Sequence, residues 1–202
     1  MARKIVVTSG KGGVGKTTVC ANLGVYLSRL GFRVCMLDVD IGLNNLDVVM
    51  GLEKQVVFDI TDVVSGKCRV RQALIQDFNY PSLYLLPSSH SYASSKITGE
   101  HIKNITDIID HSFDYILLDC PAGVEAGFHR AVYPADEAIV VVTPHLSSLR
   151  DADKVLSILS SYHIESKYLV INRMRGDLLL SGDMLNIESI VKAMNIPLIG
   201  VI

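Results

Sequence analysis

The sequence predicts an α/β fold, a three-layer α/β/α sandwich around a mostly parallel central sheet. Short, fully apolar runs alternate along the chain with stretches whose apolar residues recur at helical spacing, the order typical of such sheets. Hydrophobic residues make up 49% of the chain and charged residues 20%, as expected where strands are buried on both faces. Since no stretch resembles a linker or a repeat, we expect residues 1–202 to form a single domain.

The first forty residues give the clearest alternation. Residues 5–8 form a short β-branched run that ends at a glycine cluster, and this predicts a buried strand. Helical spacing over residues 16–30 and a stop at Gly31 predict a helix, which is followed by a strand at residues 34–37. The order is therefore strand, glycine loop, helix, strand.

The rest of the chain repeats this pattern less regularly. The further predicted strands are residues 83–87, 115–119, 137–142, 168–172 and 198–202, the last of them expected to be buried. The further predicted helices are residues 99–111, 147–161 and 187–194. Ligands of such sheets bind at the carboxyl ends of the strands, so the loops after the first, second and fourth predicted strands are the candidate site.

Charge and cysteine content exclude several classes of protein. The net charge of −2 and the pI near 6.3 argue against a nucleic-acid-binding surface spread over the chain. The four cysteines are widely spaced without a CxxC pair, which argues against a zinc site and predicts reduced, mostly buried thiols of a cytoplasmic protein. The apolar runs are too short to span a membrane.

Residues 10–17, GKGGVGKT, match the phosphate-loop pattern GxxxxGK[ST] between a predicted strand and a predicted helix. Glycines let backbone N–H groups approach phosphate oxygens, and the helix points its positive end at the same anion. A glycine turn without a ligand would not need the Lys-Thr-Thr that follows. The predicted ATP-binding residues of this segment are Gly10, Lys11, Gly12, Gly13, Val14, Gly15, Lys16, Thr17 and Thr18.

Carboxylates follow two other predicted strands. Asp38 and Asp40 share one face of an extended segment, so both could point at the phosphate loop, although a solvated loop would also explain them. Asp119 ends an apolar strand in the Walker-B pattern of an aspartate that holds Mg²⁺. The predicted Mg²⁺ ligands are Thr17, Asp38, Asp40 and Asp119.

With its second lysine, Lys11, the segment KGGVGKTT resembles the deviant Walker motif of the MinD/ParA family of P-loop ATPases. Residues 40–47, 72–77, 147–153 and 182–185 are similar to the division-site branch of this family, and the likeness runs along the whole chain. Position 44 departs from that branch, which commonly has arginine where this chain has Asn44. This departure leaves any partner contact of that loop open.

The resemblance implies an ATPase whose two subunits form a nucleotide-sandwich homodimer, with Lys11 reaching the phosphates of the partner subunit. It implies that Asp40 positions the attacking water, that Gly123 donates its N–H to the γ-phosphate, and that Asn172 and Arg173 lie at the adenine. An asparagine at a strand end is also an ordinary turn former. The catalytic residues implied are Lys11, Lys16, Asp40 and Asp119.

The resemblance also implies partners. Arg150, Asp151 and Asp153 match the family's partner-binding helix, for a MinC-like inhibitor and a MinE-like activator, although a charged solvent face explains them equally well. Family members reach anionic membrane through a C-terminal amphipathic helix that these 202 residues do not contain. We therefore expect this chain to bind membrane poorly, and the full-length protein to cycle between the cytoplasm and the inner face of the cell membrane.

Four other classes share parts of this pattern. A ParA-like DNA-segregation ATPase would need a basic surface, and residues 67–71 provide only a small cluster. A flagellar-number regulator would usually have extra terminal segments. An iron–sulfur carrier needs cluster cysteines, and Cys120 has no apparent partner. A binding module without hydrolysis would not need both lysines and both aspartates. The sequence thus favours an ATP-driven dimerisation switch that positions the cell-division site, without specific nucleic acid.

Overall fold

The computed structural model describes residues 1–42, 45–89 and 97–202. Its strands are β1 (Arg3–Thr8), β2 (Val34–Asp38), β3 (Ile75–Gln76), β4 (Leu83–Leu86), β5 (Tyr115–Asp119), β6 (Glu137–Val142), β7 (Ser166–Ile171) and β8 (Leu198–Val201). Its α-helices are α1 (Lys16–Arg29), α2 (Leu46–Met50), α3 (Ile60–Val64), α4 (Val70–Ala73), α5 (Gly99–Ile109), α6 (Ala126–Val132), α7 (Leu146–Ser161), α8 (Gly176–Ser181) and α9 (Ile187–Met194).

All of these strands belong to one sheet, in the order β3-β4-β2-β5-β1-β6-β7-β8. Every pair is parallel except β3 with β4, which is antiparallel. The predicted α/β fold with a mostly parallel sheet is therefore confirmed. Because β5 lies between β2 and β1, the loops after these three strands meet at one edge of the sheet.

Helices cover both faces of the sheet and give the expected three layers. Along β1, Ile5 and Val7 pack with α1, whereas Val6 packs in the larger core under α5, α6 and α7. Every residue of β2 is buried, which explains why its sequence is continuously apolar up to the final aspartate. Within the described residues, no helix is long and apolar enough to cross a bilayer.

Three parts of the fold differ from the prediction. Helices α2, α3 and α4 have only four or five residues each, so no periodicity could reveal them. Helices α6 and α8 escaped prediction for the same reason. The strand expected to be buried at the end of the chain, β8, is instead a half-exposed edge strand that pairs with β7, and Ile199 is 53% exposed.

The four cysteines are free thiols, as predicted. Cys20, Cys35 and Cys120 are buried and Cys68 is half-buried. Burial raises the pKa of Cys120 to about 12, despite a hydrogen bond from the Thr8 hydroxyl. The prediction of mostly buried, reduced thiols is therefore confirmed.

Candidate active site

The three predicted segments meet at the carboxyl edge of the sheet. Asp38, the last residue of β2, pairs in register with Asp119, the last residue of β5. Asp119 also pairs with Val7 of β1, one residue before that strand ends and leads into the phosphate loop. The sheet register alone therefore brings the predicted Mg²⁺ ligands next to residues 10–17.

The phosphate loop has the backbone that an anion site requires. Gly15 lies at the N-cap of α1 with φ near 100°, a left-handed backbone conformation that residues other than glycine rarely adopt. It provides no capping side chain, and the first turn of α1 has no acidic residue. The free N–H groups and the positive end of the helix dipole are thus left for a ligand.

Lys16 and Thr17 begin α1 and face this loop. Lys16 is buried, with 8% of its surface exposed, and among the described residues its ammonium forms neither a hydrogen bond nor an ion pair. Its charge nevertheless lowers the pKa of both Asp40 and Asp119. The Thr17 side chain also lowers the pKa of Asp119 and so lies close to that carboxylate, whereas the next residue, Thr18, is exposed.

Asp119 is the carboxylate best placed for a metal. It is 3% exposed, and its Oδ1 is buried without any hydrogen-bond partner in the described structure. Burial raises its pKa to about 6, opposed by Thr17 and Lys16. The residues described contain no group of three or more His, Cys, Asp or Glu side chains that could hold a metal by themselves. A single carboxylate such as that of Asp119 fits Mg²⁺, because this ion takes one or two protein carboxylates and completes its shell with water and phosphate oxygens.

Asp38 holds the loop that follows β2. One carboxylate oxygen accepts the N–H of Asp40 at 3.0 Å, and the other accepts those of Asn45 and Leu46 at 3.2 and 3.1 Å. Burial, and next the charge of Asp119, raises the pKa of Asp38 to about 7. Asp38 thus holds backbone N–H groups on both sides of this loop. Its contact with a metal stays a prediction. Asn44 lies outside the described residues.

Asp40 is half-buried, and the charges of two cations act on it. Burial raises the pKa of its carboxyl group, while the charges of Lys16 and Arg130 lower it. Arg130 was not predicted from the sequence, because a single arginine on a short helix gives no motif. Burial lowers the pKa of its guanidinium, and the charge of Asp40 raises it.

The segment between β5 and α6 contains Gly123, with φ near 84°, a conformation that frees its N–H to turn toward a ligand. Gly127 in the first turn of α6 packs directly on this segment, because a Cβ there would lie 2.6 Å from Cγ of Pro121. The predicted contact of Gly123 with a phosphate stays a prediction, and the geometry leaves it possible.

Asn172 braces the phosphate loop. Its Nδ2 donates to the carbonyl of Val14 at 2.8 Å, and its Oδ1 accepts the N–H of Arg173 at 2.8 Å. Arg173 is exposed and has a φ of 65°. The role of these two residues at the adenine stays a prediction. The structure shows in addition that Asn172 supports the phosphate loop at Val14.

Helix α7 lies against the phosphate loop. A Cβ on Gly10 would lie 2.2 Å from the backbone carbonyl carbon of Asp151, so helix and loop are in direct contact. Lys11 is exposed, and its ammonium lies 3.4 Å from the Ser147 hydroxyl at the start of α7. Arg150 and Asp153 are exposed, which leaves the predicted partner face accessible.

Comparison with known proteins places this geometry in a family. A family model described as an AAA domain matches residues 2–170. The septum site-determining protein MinD of Bacillus subtilis is 48% identical over 204 residues, which cover all of this chain and 76% of that protein. The putative septum site-determining protein MinD of Guillardia theta is also 48% identical, over all of this chain and 75% of that protein.

Solved structures agree with these sequence matches. MinD in a MinC:MinD cell division complex of Aquifex aeolicus has a TM-score of 0.92 and 44% identity, covering all of this chain and 81% of that one. MinD of Pyrococcus horikoshii, solved with Mg-ADP, has a TM-score of 0.90 and 32% identity over all of this chain and 81% of its own. These matches cover the whole chain and so extend far beyond the phosphate loop. This chain therefore belongs to the MinD/ParA family of P-loop ATPases and resembles its MinD members along its full length.

Proposed function

We propose that this chain is an ATP-hydrolysing switch that positions the cell-division site and depends on Mg²⁺. One observation supports the chemistry above all. The ammonium of Lys16, a residue that is only 8% exposed, and a buried carboxylate oxygen, Oδ1 of Asp119, lie at the phosphate loop, and neither has a partner among the described residues. Both would gain their partners when a nucleotide with its metal ion binds.

The residues divide the work of hydrolysis between them. The phosphate-loop amides and Lys16 hold the β- and γ-phosphates, and Thr17 with Asp119 provides the protein ligands of Mg²⁺, directly or through water. Bound Mg²⁺ neutralises charge that develops on the phosphate oxygens. Asp40, whose pKa is lowered by the charge of Lys16, is the carboxylate that we expect to orient a water for attack on the γ-phosphate. Positioning and charge stabilisation are sufficient, so no covalent enzyme intermediate is required.

An ATP-dependent homodimer is the second part of the proposal. Lys11 is exposed at the carboxyl edge and contacts only a hydroxyl of Ser147 among the described side chains. Two exposed apolar side chains lie at the same edge, Leu146 at the start of α7 and Leu180 in α8, with 74% and 91% of their surfaces exposed. A second copy of the chain would cover them and give Lys11 a phosphate as its partner.

Partners are proposed from the relatives. The Aquifex MinD forms a complex with MinC, and we expect a MinC-like inhibitor to bind this chain in its ATP state. A MinE-like activator is expected on α7, whose Asp151 backbone lies on Gly10 of the phosphate loop. We also propose that the protein is cytoplasmic and cycles to the inner face of the membrane. Sedimentation of the protein with anionic vesicles, in the presence of ATP and of ADP, tests the membrane step.

The first experiment measures molecular mass by light scattering with Mg-ADP and Mg-ATP, together with phosphate release. We expect a monomer with ADP, a dimer with ATP, and loss of hydrolysis in Lys11→Ala. The matched control is Lys54→Ala, which removes another exposed lysine away from the carboxyl edge and should change neither mass nor turnover. A mass that ATP does not alter would contradict the dimer and leave a nucleotide-binding protein.

DNA segregation is the alternative within the family. Its basic surface would include Lys67, but this ammonium is already paired with Asp62 at 2.8 Å. We expect no gain in DNA affinity when ATP is added, as measured by fluorescence anisotropy with a non-specific duplex. ATP-dependent binding that weakens steeply with salt would instead favour a ParA-like role.

A further inference from the structure

Arg130 in α6 has no task in the fold that the described structure reveals. Its Nη1 is buried, yet it donates no hydrogen bond. Leaving a buried donor without an acceptor costs free energy, on the order of 1–3 kcal/mol for a neutral group and more for a charged one. A half-buried guanidinium whose buried Nη1 lacks an acceptor in one state points to an acceptor that arrives in another.

The acceptor that the structure offers is the carboxylate of Asp40. The charges of the two groups act on each other, so they lie within electrostatic range, but no ion pair or hydrogen bond joins them among the described side chains. No other carboxylate acts on Arg130 to a comparable extent. A small approach of the two groups would pair both charges.

The local packing provides a way to produce this approach. Gly127 is packed against Pro121 so closely that a Cβ would lie 2.6 Å from its Cγ, and a movement of the segment around Gly123 would act on the first turn of α6 through this contact. Arg130 lies three residues after Gly127 and so on the same side of the helix. Phe128, which is fully buried, anchors α6 in the core and limits the movement to a small one.

We propose that Arg130 is a positioning residue that pairs with Asp40 when ATP draws the segment around Gly123 toward the γ-phosphate. The pair would fix the Asp40 carboxylate in the direction needed to hold the attacking water. It would also connect the two loops that respond to nucleotide, one after β2 and the other after β5. This inference rests on the proposed ATPase function and names the contact that completes its site.

The first test is spectroscopic and does not require turnover. The protein is labelled with ¹⁵N-arginine and loaded with Mg²⁺ and a non-hydrolysable ATP analogue, and the side-chain signal of Arg130 is assigned by its loss in Arg130→Lys. We expect a guanidinium signal with slowed hydrogen exchange that is absent with ADP and absent in Asp40→Ala. A signal that persists in Asp40→Ala would show that another group, such as a phosphate oxygen, is the acceptor and would overturn the proposal.

The second test is kinetic. Arg130→Ala should lower kcat about tenfold, the effect of one charge-assisted hydrogen bond, with the KM for ATP unchanged within about twofold. Arg130→Lys should recover part of kcat, and in an Asp40→Ala background Arg130→Ala should cause no further loss. Arg29→Ala, at the end of α1, is the matched control and should match wild type.

The two tests separate the inference from the function on which it rests. A wild-type protein without ATPase activity would refute the proposed function, and the guanidinium signal would still decide whether Arg130 pairs with Asp40. An unchanged kcat in a folded Arg130→Ala protein would overturn the proposal, as would losses for Arg130→Ala and Asp40→Ala that multiply in the double variant. Should Arg130→Ala fail to fold, Arg130→Lys and the spectroscopic test decide.

Discussion

Gly10→Ala is the substitution for which the structure predicts the largest effect from one methyl group. Gly10 does not have a left-handed backbone, so alanine is not excluded by its φ angle. It is excluded by space, because the new Cβ would lie 2.2 and 2.3 Å from the carbonyl carbon and oxygen of Asp151 and 2.6 Å from its Cβ. Two of these atoms belong to the backbone of α7 and cannot rotate away.

The magnitude follows from the size of this overlap. Ordinary carbon contacts begin near 3.5 Å, so helix and loop must separate by roughly 1 Å. Overpacking of this kind typically costs about 1–3 kcal/mol, which lowers the melting temperature of a chain of this length by roughly 2–12 °C. The separation also displaces the phosphate loop, so we expect nucleotide affinity to fall with stability.

Gly12→Ala is the matched control in the same loop. A Cβ there would meet only the Cβ of Ala122, at 3.7 Å, an ordinary contact. Urea unfolding without nucleotide should therefore give Gly12→Ala the stability of wild type within about 1 kcal/mol, and Gly10→Ala a clear loss. Equal stabilities for the two variants would refute the claim that α7 and the phosphate loop are in direct backbone contact.

Three further predictions concern the charges and hydrogen bonds of the site. Asp38 and Asp119 have pKa values raised to about 7 and about 6, so between pH 4 and 7 the folded protein keeps protons that the unfolded chain has released. The free energy of unfolding of the nucleotide-free protein should therefore fall by a few kcal/mol (about 1.4 kcal/mol per pKa unit) as pH rises through this window, and urea titrations of Asp119→Asn should show a shallower fall. Lys16→Ala should abolish binding of a fluorescent ATP analogue with only a small loss of stability, because no carboxylate forms an ion pair with this ammonium among the described residues; a loss of about 3–5 kcal/mol, as on breaking a buried ion pair, would contradict the contact pattern. Asn172→Ala, which removes the hydrogen bond to Val14, should cost about 1 kcal/mol and weaken nucleotide binding, and an unchanged affinity would count against bracing by this residue.

The sequence was most informative where one signal repeats over many residues. Helices α1, α5 and α7 have eleven or more residues, and the strands between them are continuously apolar, so their bounds could be predicted within a few residues. The phosphate loop could be predicted because its chemistry demands particular residues at fixed spacing.

Shorter elements and single side chains could not be predicted in the same way. Helix α3 has five residues and is held by Asp59, which accepts the N–H groups of Thr61 and Asp62. An aspartate at this position does not predict a helix by itself, because the five residues that follow are too few to show helical periodicity. The hydrogen bonds of Asp38 depend on where the N–H groups of Asp40, Asn45 and Leu46 lie, and the place of Arg130 depends on how α6 is packed. Both follow from tertiary structure rather than from local pattern.

Buried charges outside the site show what is unusual within it. Lys4, which is as buried as Lys16, pairs with Asp107 at 2.6 Å, and the carboxylate of Asp77 accepts two backbone N–H groups. The charge of Lys16 lowers the pKa of Asp119, yet no ion pair joins the two residues among the described side chains. Because a direct pair would have compensated both charges, the fold holds a cation and a carboxylate oxygen apart at a cost in stability. The group that compensates both must itself contain an anion and a cation, and a nucleotide with its Mg²⁺ has both.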